Sequence, residues 1–242
     1  MPEKCDSRCL LSWRCNIGTR GCAMSFTEFL SDASDRLFGS YVSKSAKRYS
    51  SILNTPDHFI EMLLLIEDKR FSIHCGIDPL AIARALIFNS RGGVLQGAST
   101  ISQQVYNIRT RRTLFDERAR TVGIKIRQLC WALCRSTFIP KAVLLREYID
   151  TVYWGKSLYG LDEAAHSYFR IDRESLSAAQ SFFLAERIAM PNRFSVNRVS
   201  NLMKRRAIRD ALRRWGTSAK DIALLYRNSC SCGGETWQLL ER

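Results

Sequence analysis

The chain has 242 residues, of which 46% are hydrophobic. This excludes a wholly disordered protein and fits one good-sized domain or two small lobes that share a core. Its 37 Lys and Arg residues against 23 Asp and Glu give a formal net charge of +14, which predicts an anionic partner: nucleic acid, a phospholipid surface or a phosphorylated substrate. No stretch reaches the ~18 consecutive apolar residues of a membrane-spanning helix, and Arg14 and Arg20 interrupt the apolar run that a signal peptide needs.

Nine cysteines are present, and their odd count argues against a complete disulfide framework. The first four lack the CxxC pair and the partner HxxxH of a zinc site, so free thiols are favoured over zinc binding. Cys130 and Cys134 lie one helical turn apart and are predicted to be packing residues. The full set is Cys5, Cys9, Cys15, Cys22, Cys75, Cys130, Cys134, Cys230 and Cys232.

Helical signals dominate the chain from residue 56 onward. Residues 1–50 are weakly patterned, and they predict a poorly ordered lead-in with one short helix near 26–37. Residues 51–228 then form the folded domain, and residues 229–242 form a tail. No strand alternation and no repeat stands out, so the predicted fold class is mainly α.

Local capping patterns predict the first helices of the domain. Asp57 is predicted to cap a helix that runs through residues 58–70. Asp78 followed by Pro79 is a cap and first-turn pair that opens a second helix, which ends at the glycine pair 92–93.

The next predicted helix begins after Thr100, because Thr100 and Gln103 have the spacing of a capping box. The later predicted helices cover residues 116–135, 140–151, 162–169, 177–189, 201–216 and 218–227.

Glu67 is the first candidate for chemistry. Ile60, Leu64, Glu67 and Phe71 fall at helical spacings of four, three and four, so the carboxylate lies in an otherwise apolar stripe. Partial removal from water disfavours the charged form and raises the carboxyl pKa toward the range useful for proton transfer. The alternative is that Glu67 ends the helix at the solvent edge with only its stem covered.

Two neighbouring ionisable residues are given structural roles. His74 lies beside a turn, where a lone histidine more often makes a structural hydrogen bond than acts as a ligand or base. Asp78 needs no role beyond capping the helix that follows it.

Three segments carry dense polar chemistry in a fixed order: EDKRFSIHCGID at 67–78, QGASTISQQ at 96–104, and KAVLLREYIDTVYWGKSLYGLDEAAHSYF at 141–169. They resemble the motifs ED-x-x-F-x-x-H-x-G-x-D, G-x-S-T-x-x-Q-Q and K-x-x-I-L-E-x-Y-L-N-x-x-Y-x-G…G…A-A-x-x-Y-F of the peptidoglycan glycosyltransferases of family 51. The resemblance covers roughly residues 58–196. It implies a two-lobed fold, with a lysozyme-like large lobe and a smaller membrane-proximal jaw lobe.

The resemblance implies an activity as well. Such enzymes polymerise a lipid-linked disaccharide (lipid II) into glycan strands and release a lipid diphosphate. Glu67 is then the general base, Asp68 its companion acid in substrate binding, and Phe71 the residue packed beneath the pair. No cofactor is required by this chemistry, although a divalent cation (Mg or Mn) on the diphosphate is compatible with it.

The second segment is expected to bind substrate. Ser99, Thr100, Gln103 and Gln104 match the family motif and stand at a glycine-preceded helix start, where free N–H groups and the helix dipole favour an anion. They are assigned to the diphosphate and the adjoining sugar. The alternative from the residues alone is a plain capping box.

The family's third motif, R-x-x-x-R-K-x-x-E, has the poorest match, at RTVGIKIRQ (120–128). Arg120 and Lys125 match and are assigned to substrate binding. The resemblance implies a groove lined by Glu67, Ser99, Gln103 and Lys125, with Lys125 and Gln128 looking into it opposite Glu67. Gln128 stands where the family has a second catalytic acid, and Asn107 stands where it has a lysine after the paired glutamines. A neutral amide predicts attenuated activity that Gln128→Glu would improve.

Other departures mark a divergent member. Asp150, assigned to substrate binding, replaces the family's Asn, and Arg146 replaces a Glu beside Glu147. Glu186 and Arg187 replace a Gly and an apolar residue. The charge of the lysine missing at Asn107 is expected to be replaced by Arg109, Arg111 or Arg112, which precede the third motif. Either Glu117 or Glu147 is the candidate to replace the missing acid.

Two other functions stay open. One is a catalytically impaired homologue that binds lipid-linked glycan or a cell-wall synthesis partner. The other is a basic nucleic-acid binder that uses residues 204–214. Leu202, Ile208, Leu212 and Trp215 share one side of that helix, so its charges are more simply a solvated face or one facing anionic lipid, and no specific nucleic acid is expected.

The expected partners are the lipid-linked disaccharide, the growing glycan strand, an anionic membrane surface and cell-wall synthesis proteins. The apolar run ALIFNSRGGVL (85–95) matches where the family dips into the bilayer. The expected location is the cell envelope, on the outer (periplasmic) face of the cytoplasmic membrane. A monofunctional protein without a penicillin-binding domain or transpeptidase activity is also expected.

Overall fold

The computed structural model describes residues 26–90, 97–110 and 122–229. These residues form a mainly α fold, as predicted, and one isolated bridge between Tyr153 and Tyr159 is their only β pairing. A short 3-10 helix spans Arg173–Ser175. The α-helices are α1 Phe26–Leu53, α2 Asp57–Glu67, α3 Pro79–Asn89, α4 Ile101–Arg109, α5 Val122–Phe138, α6 Lys141–Thr151, α7 Leu161–Phe169, α8 Ala178–Arg187, α9 Val196–Lys204, α10 Arg206–Arg214 and α11 Ala219–Ser229.

Helix α2 forms the centre of the core and ends at the candidate base. All of residues 59–65 are buried, and α2 packs against α1, α8 and α10. Pro56, not the predicted Asp57, is its N-cap, and the helix ends at Glu67 rather than continuing to residue 70. Because α2 ends early, Glu67 is its last residue and directly precedes a turn, instead of lying inside the helix.

Helix α1 corrects the prediction for the N-terminal part. Its 28 residues extend well beyond the short helix expected at 26–37. Val42, Ala46, Tyr49 and Leu53, at spacings of four, three and four, are buried in the main core. The second half of the predicted lead-in is therefore part of the fold, while the rest of the lead-in and the tail from residue 230 lie outside the described residues.

The predicted caps of α3 and α4 are confirmed. The Asp78 side chain accepts a hydrogen bond from the Ala81 N–H with Pro79 at the first helical position, and Thr100 accepts from the Gln103 N–H. The glycine pair 92–93 expected to end α3 lies outside the described residues. Both caps use side chains within three residues of their targets, which is why spacing alone revealed them.

The single helix predicted over residues 201–216 is two helices that meet at Arg205. Arg205 has an extended conformation with ψ of 126°. Its guanidinium donates to the backbone oxygen of Leu65 at 2.7 Å, and Asp35 of α1 accepts from the Ala207 N–H at 3.3 Å, which caps α10 from a distant part of the chain. The break thus follows from tertiary contacts.

Cys130 and Cys134 were predicted to pack, and this is wrong, since both are exposed free thiols, as is Cys75. The other six cysteines lie outside the described residues. No helix in the described part of the chain is both long enough and apolar enough to cross a bilayer.

Candidate active site

Glu67 is half-buried at the last position of α2, and its Oε2 accepts a hydrogen bond from Gln104 Nε2 at 2.8 Å. Burial raises the pKa of the Glu67 carboxyl above its ordinary value, and the carboxylates of Asp68 and Glu186 add to this; the Gln104 hydrogen bond and the Arg198 charge oppose it. The raised pKa predicted from the apolar stripe is confirmed. Oε1 has no hydrogen bond to any described residue.

The side-chain amide of Gln104 makes a second hydrogen bond, through its oxygen. The hydroxyl of Tyr148, a fully buried residue of α6, donates to Gln104 Oε1 at 2.6 Å. Sequence reasoning missed Tyr148, although it lies in the third resembling segment, because nothing local joins it to a residue 44 positions earlier.

Asp68 and His74 form a structural pair under the turn that follows α2. His74 Nε2 donates to Asp68 Oδ1 at 2.9 Å, while His74 Nδ1 accepts from the Gly76 N–H, so the imidazole is neutral with its proton on Nε2. Asp68 Oδ2 also accepts from the Ile101 N–H at the start of α4. The structural role predicted for His74 is confirmed, and the bonds of Asp68 tie the turn to α4.

Phe71 packs beneath this turn, as predicted. Its ring contacts Tyr49 and His74 edge-on, and Lys141 Nζ lies 4.6 Å from its centroid. Only 1% of Phe71 is exposed, so it supports the site from below.

Gly76 brings the turn against α5. Its φ is +96°, and a Cβ at this position would lie 2.1 Å from the Ala132 backbone oxygen, so only glycine permits the approach. The Gly76 carbonyl also accepts from Thr100 Oγ1 at 2.6 Å. Thr100 is 2% exposed and therefore contributes to the site by ordering α4 rather than by reaching into the groove.

Lys125 of α5 makes hydrogen bonds to the second segment, residues 96–104. Its ammonium donates to Ser99 Oγ at 3.3 Å, to Gln103 Oε1 at 3.2 Å and to Gln128 Oε1 at 2.6 Å. All three acceptors are neutral, so no described hydrogen-bond partner compensates its charge. Partial burial lowers the pKa of Lys125, because it removes part of the water around the charged form. The predicted meeting of Ser99, Gln103 and Lys125 is confirmed.

Gln103 has an unpaired donor at this place. It is 1% exposed, and among the described residues its Nε2 has no hydrogen-bond partner, although its Oε1 faces Lys125. A buried N–H without an acceptor costs ~1–3 kcal/mol. Lys125, which has only neutral acceptors among the described residues, is therefore the group here that suits a phosphate-bearing ligand, while Gln103 lies buried behind it.

Gln128 was predicted to look into the groove, and this is wrong. It is 4% exposed, and each of its polar atoms is used: Oε1 accepts from Lys125, and Nε2 donates to the Gln103 backbone oxygen at 3.0 Å and to Asn107 Oδ1 at 2.9 Å. Gln128 therefore acts as a buried connector that holds Lys125 to α4.

A second group of cations, which sequence reasoning did not assign, lies in one cleft with Glu67. Lys69, Arg84 and Arg205 line one cleft together with Glu67 and Ser99. Burial, with Arg205 adding, lowers the pKa of Lys69 to about 8. Arg84 Nε is buried without a partner among the described residues. Lys69 is visible in the first segment, but Arg84 and Arg205 come from α3 and the α9–α10 break.

One predicted substrate-binding residue, Asp150, is not among the residues that line this cleft. Asp150 forms an ion pair with Arg173, which also pairs with Asp162, and it makes no described hydrogen bond to the residues above. Arg120 lies outside the described residues.

The side chains predicted to replace the missing lysine and the missing acid either form ion pairs with one another and with Arg135 or lie outside the described residues. Glu147 is paired with Arg109 and with Arg135, so neither Glu147 nor Arg109 is free for the site. Arg111, Arg112 and Glu117 lie outside the described residues.

The described residues contain no cluster of three His, Cys, Asp or Glu side chains that could hold a metal. Around Lys125 the donors are an ammonium, amides and a hydroxyl. Hard divalent cations prefer carboxylate oxygens, so this set does not fit Mg²⁺ or Mn²⁺ as a protein-held ion.

Comparison with known proteins agrees with this geometry. The model of the transglycosylase family matches residues 34–213. The chain is 34% identical over 165 residues to "Penicillin-binding protein 1A" of Aquifex aeolicus, which covers 68% of this chain and 22% of that protein. It is 34% identical over 152 residues to "Biosynthetic peptidoglycan transglycosylase" of Ectopseudomonas mendocina (63% and 61% covered). It is also 31% identical over 169 residues to the protein of that name in Pseudomonas aeruginosa (70% and 71% covered).

The match thus spans about a fifth of the Aquifex protein and about three fifths of the Ectopseudomonas one. Since the family match begins inside α1 and runs almost to the end of α10, it contains every residue of the described cleft. The chain belongs to the transglycosylase family.

Proposed function

We propose that the protein polymerises a lipid-linked disaccharide (lipid II) into glycan strands and releases lipid diphosphate. The observation that carries the proposal is the surroundings of Glu67: this carboxylate of raised pKa shares a cleft with Lys69, Arg84, Arg205 and Ser99, and Ser99 in turn accepts a hydrogen bond from Lys125. Such a reaction brings two diphosphates to one base, one on the donor and one on the acceptor, and two separate cation groups suit them.

The proposed step begins with ionised Glu67. Its carboxylate takes the proton of the acceptor's sugar hydroxyl, the hydroxyl oxygen forms a bond to the donor's anomeric carbon, and the bond from that carbon to the diphosphate oxygen breaks. The electron pair leaves with the lipid diphosphate. Lys125, whose described hydrogen-bond acceptors are all neutral, is positioned to bind that anion as its charge develops. A divalent ion would enter only on the substrate's own diphosphate.

We further propose that the protein works at the outer face of the cytoplasmic membrane, with α3 and α5 as the smaller membrane-proximal lobe. These two helices carry a set of exposed large apolar side chains, which water disfavours and lipid accepts. They are Leu80, Leu86 and Ile87 on α3 and Val122, Ile126, Leu133 and Phe138 on α5. A lipid-linked substrate stays anchored in the bilayer, so the enzyme must reach it there.

The test is polymerisation of fluorescent lipid II by the purified protein, followed on a gel that resolves glycan strands. Polymer is expected from the natural sequence and none from Glu67→Gln, which keeps the size of the side chain but cannot accept the proton. Glu174→Gln, the same change at an exposed residue that accepts a hydrogen bond from Asn54, is the matched control and should polymerise normally.

The alternative function, suggested by a neutral residue at position 128, is a relative that binds lipid-linked glycan without polymerising it; the buried position of Gln128 does not favour it. Binding of lipid II without any polymer, by the natural sequence and Glu67→Gln alike, would establish that function. Polymer formed by Glu67→Gln would show that Glu67 is not the base.

A further inference from the structure

A continuous chain of hydrogen bonds leads from the core to the carboxylate of Glu67. The Tyr148 hydroxyl donates to Gln104 Oε1 at 2.6 Å, and Gln104 Nε2 donates to Glu67 Oε2 at 2.8 Å. Tyr148 is 0% exposed, whereas Gln104 and Glu67 are half-buried. The chain therefore begins at a fixed point and ends at the reacting group.

The direction of these bonds depends on Tyr148. A glutamine amide has nearly the same shape when turned end for end, but the turned amide would point Oε1 at Glu67 and repel its charged form. The turned amide would also leave the Tyr148 O–H without an acceptor in a fully buried place, which is costly. Burial, with the charges of Glu67 and Asp68 adding, raises the pKa of Tyr148 well above its ordinary value, so the hydroxyl keeps its proton.

We propose that Tyr148 is a positioning residue of this site, which fixes the Gln104 amide so that it always donates to Glu67 and holds the base in one orientation. The inference deepens the proposed function, because it rests on Glu67 as the base. Tyr148 itself touches no reacting atom and acts only through Gln104.

Other groups also bear on Glu67. From α2 comes the Asp68 carboxylate, from α8 the Glu186 carboxylate, and from α9 the Arg198 guanidinium, which donates to Glu186 at 3.1 Å. These charges act on Glu67 through space, whereas the Gln104 amide is its one described hydrogen-bond partner. A change confined to Tyr148 leaves the three charges in place and so isolates the effect of the amide.

The test is to titrate the Glu67 carboxyl by ¹³C NMR in protein labelled at glutamate, with the signal assigned from its loss in Glu67→Gln. In Tyr148→Phe the amide loses its preferred direction, and the pKa of Glu67 should rise by about one unit. This leaves about a tenth as much charged form at a given pH below the pKa. Gln104→Met, of similar length and without hydrogen bonds, should raise it at least as much.

The decisive comparison is the double variant. If Tyr148 acts through Gln104, adding Tyr148→Phe to Gln104→Met should shift the pKa of Glu67 no further. Tyr168→Phe is the matched control, because the Tyr168 hydroxyl donates to the Trp154 backbone oxygen elsewhere in the core, and it should leave the titration unchanged. An unchanged Glu67 pKa in Tyr148→Phe, or an equal shift in the Gln104→Met background, would overturn the proposal.

The unsubstituted protein supplies a second measurement, which holds even where a variant fails to fold. The Gln104 Nε2 protons and the Tyr148 ring carbon that bears the hydroxyl should both shift with the midpoint of the Glu67 titration. Absence of that midpoint from the Tyr148 signal would contradict the chain of bonds. Neither measurement needs polymerisation, so a protein that makes no glycan would contradict the proposed function without deciding this test.

Discussion

At the scale of single residues, Glu67 places activity and stability in opposition. Burial raises its pKa in the folded protein, so the charged form that acts as a base also costs folding free energy at pH values above that pKa. The cost disappears as the pH falls and the carboxyl takes up its proton.

Glu67→Gln should therefore stabilise the protein while abolishing polymerisation. At pH 8 we expect its Tm to rise by ~2–4 °C, the shift that ~1 kcal/mol produces in a domain of this size. The difference should shrink toward acidic pH, where the natural carboxyl is protonated too. Thermal unfolding at several pH values measures this, and a Glu67→Gln variant less stable than the natural protein at pH 8 would contradict it.

The same pKa shift predicts the pH dependence of activity. Because the base must be ionised, kcat/KM should increase with pH along a limb whose midpoint lies above 4.5, the ordinary value of a glutamate. Steady-state rates of lipid II consumption between pH 4 and 9 test this. A limb centred at or below the ordinary value would mean that a different group is the base.

The surroundings of Gln128 change one expectation drawn from the family motif. The motif predicts that Gln128→Glu restores a missing acid and so improves activity. A carboxylate cannot donate the two hydrogen bonds that Nε2 makes, and one of its oxygens would face the Gln103 carbonyl. We expect Gln128→Glu to lose ~1–3 kcal/mol of unfolding free energy and to gain no activity.

Adding Asn107→Lys should recover part of that stability, since an ammonium at 107 can donate to the new carboxylate. Chemical denaturation of the single and double variants measures the coupling. Gln180→Glu, the same chemical change in the capping box of α8, serves as the control and should be nearly neutral. Higher polymerisation by Gln128→Glu alone would restore the motif-based expectation.

At the scale of elements, the helix caps show how far sequence reasoning reaches. Asp78 and Thr100 cap α3 and α4 from within three residues, so their spacing was sufficient. Helix α10 is capped by Asp35, 172 residues earlier, and no local signal marks the break before it. Helix α1 was underestimated because its buried residues are separated by many polar ones.

The residues of the site also divide into those that sequence reasoning could assign and those that it could not. Glu67, Ser99, Gln103 and Lys125 could be assigned from the resemblance, and the structure brings them together. Arg84, Arg205 and Tyr148 could not, because each reaches the site across an interface between elements that only the folded chain creates. Gln128 was assigned to the correct helix but to the wrong surroundings, since burial depends on partners such as Asn107 on another helix.

Asp35 should be one of the strongest determinants of stability. It is 3% exposed and binds Lys69 at 2.8 Å as well as the Ala207 N–H, so it joins α1, the turn after α2 and the start of α10. Asp35→Asn leaves Lys69 without a charged partner and should cost ~3 kcal/mol or more. Asp32→Asn, in an exposed pair with Arg36, should cost less than ~1 kcal/mol. Denaturant unfolding compares them, and equal losses would contradict this account.

At the scale of the whole molecule, the apolar side chains of α3 and α5 and the net charge of +14 act together. Apolar residues supply insertion into lipid, and the positive charge supplies attraction to anionic headgroups that salt weakens. Residues 91–95 of the apolar run that was expected to dip into the bilayer lie outside the described residues.

Replacement of Leu86 and Phe138 by serine should reduce binding to the membrane. They are 66% and 81% exposed, so the change should leave Tm nearly unaltered while lowering co-sedimentation with vesicles that contain anionic lipid. Leu224→Ser, at a 54% exposed leucine of α11, is the control. Undiminished sedimentation of the double variant, or an equal loss in the control, would place the membrane contact elsewhere.

Gly76 determines how closely the turn after α2 approaches α5. Because Gly76 has no side chain, the turn after α2 contacts the backbone of α5 directly. Only main-chain atoms separate the turn from α5 at this point. Glu67 precedes this turn, and Lys125 lies on the helix that rests against it. The spacing between Glu67 and Lys125 is therefore tied to Gly76, and we predict that a side chain at this position would push the turn and α5 apart.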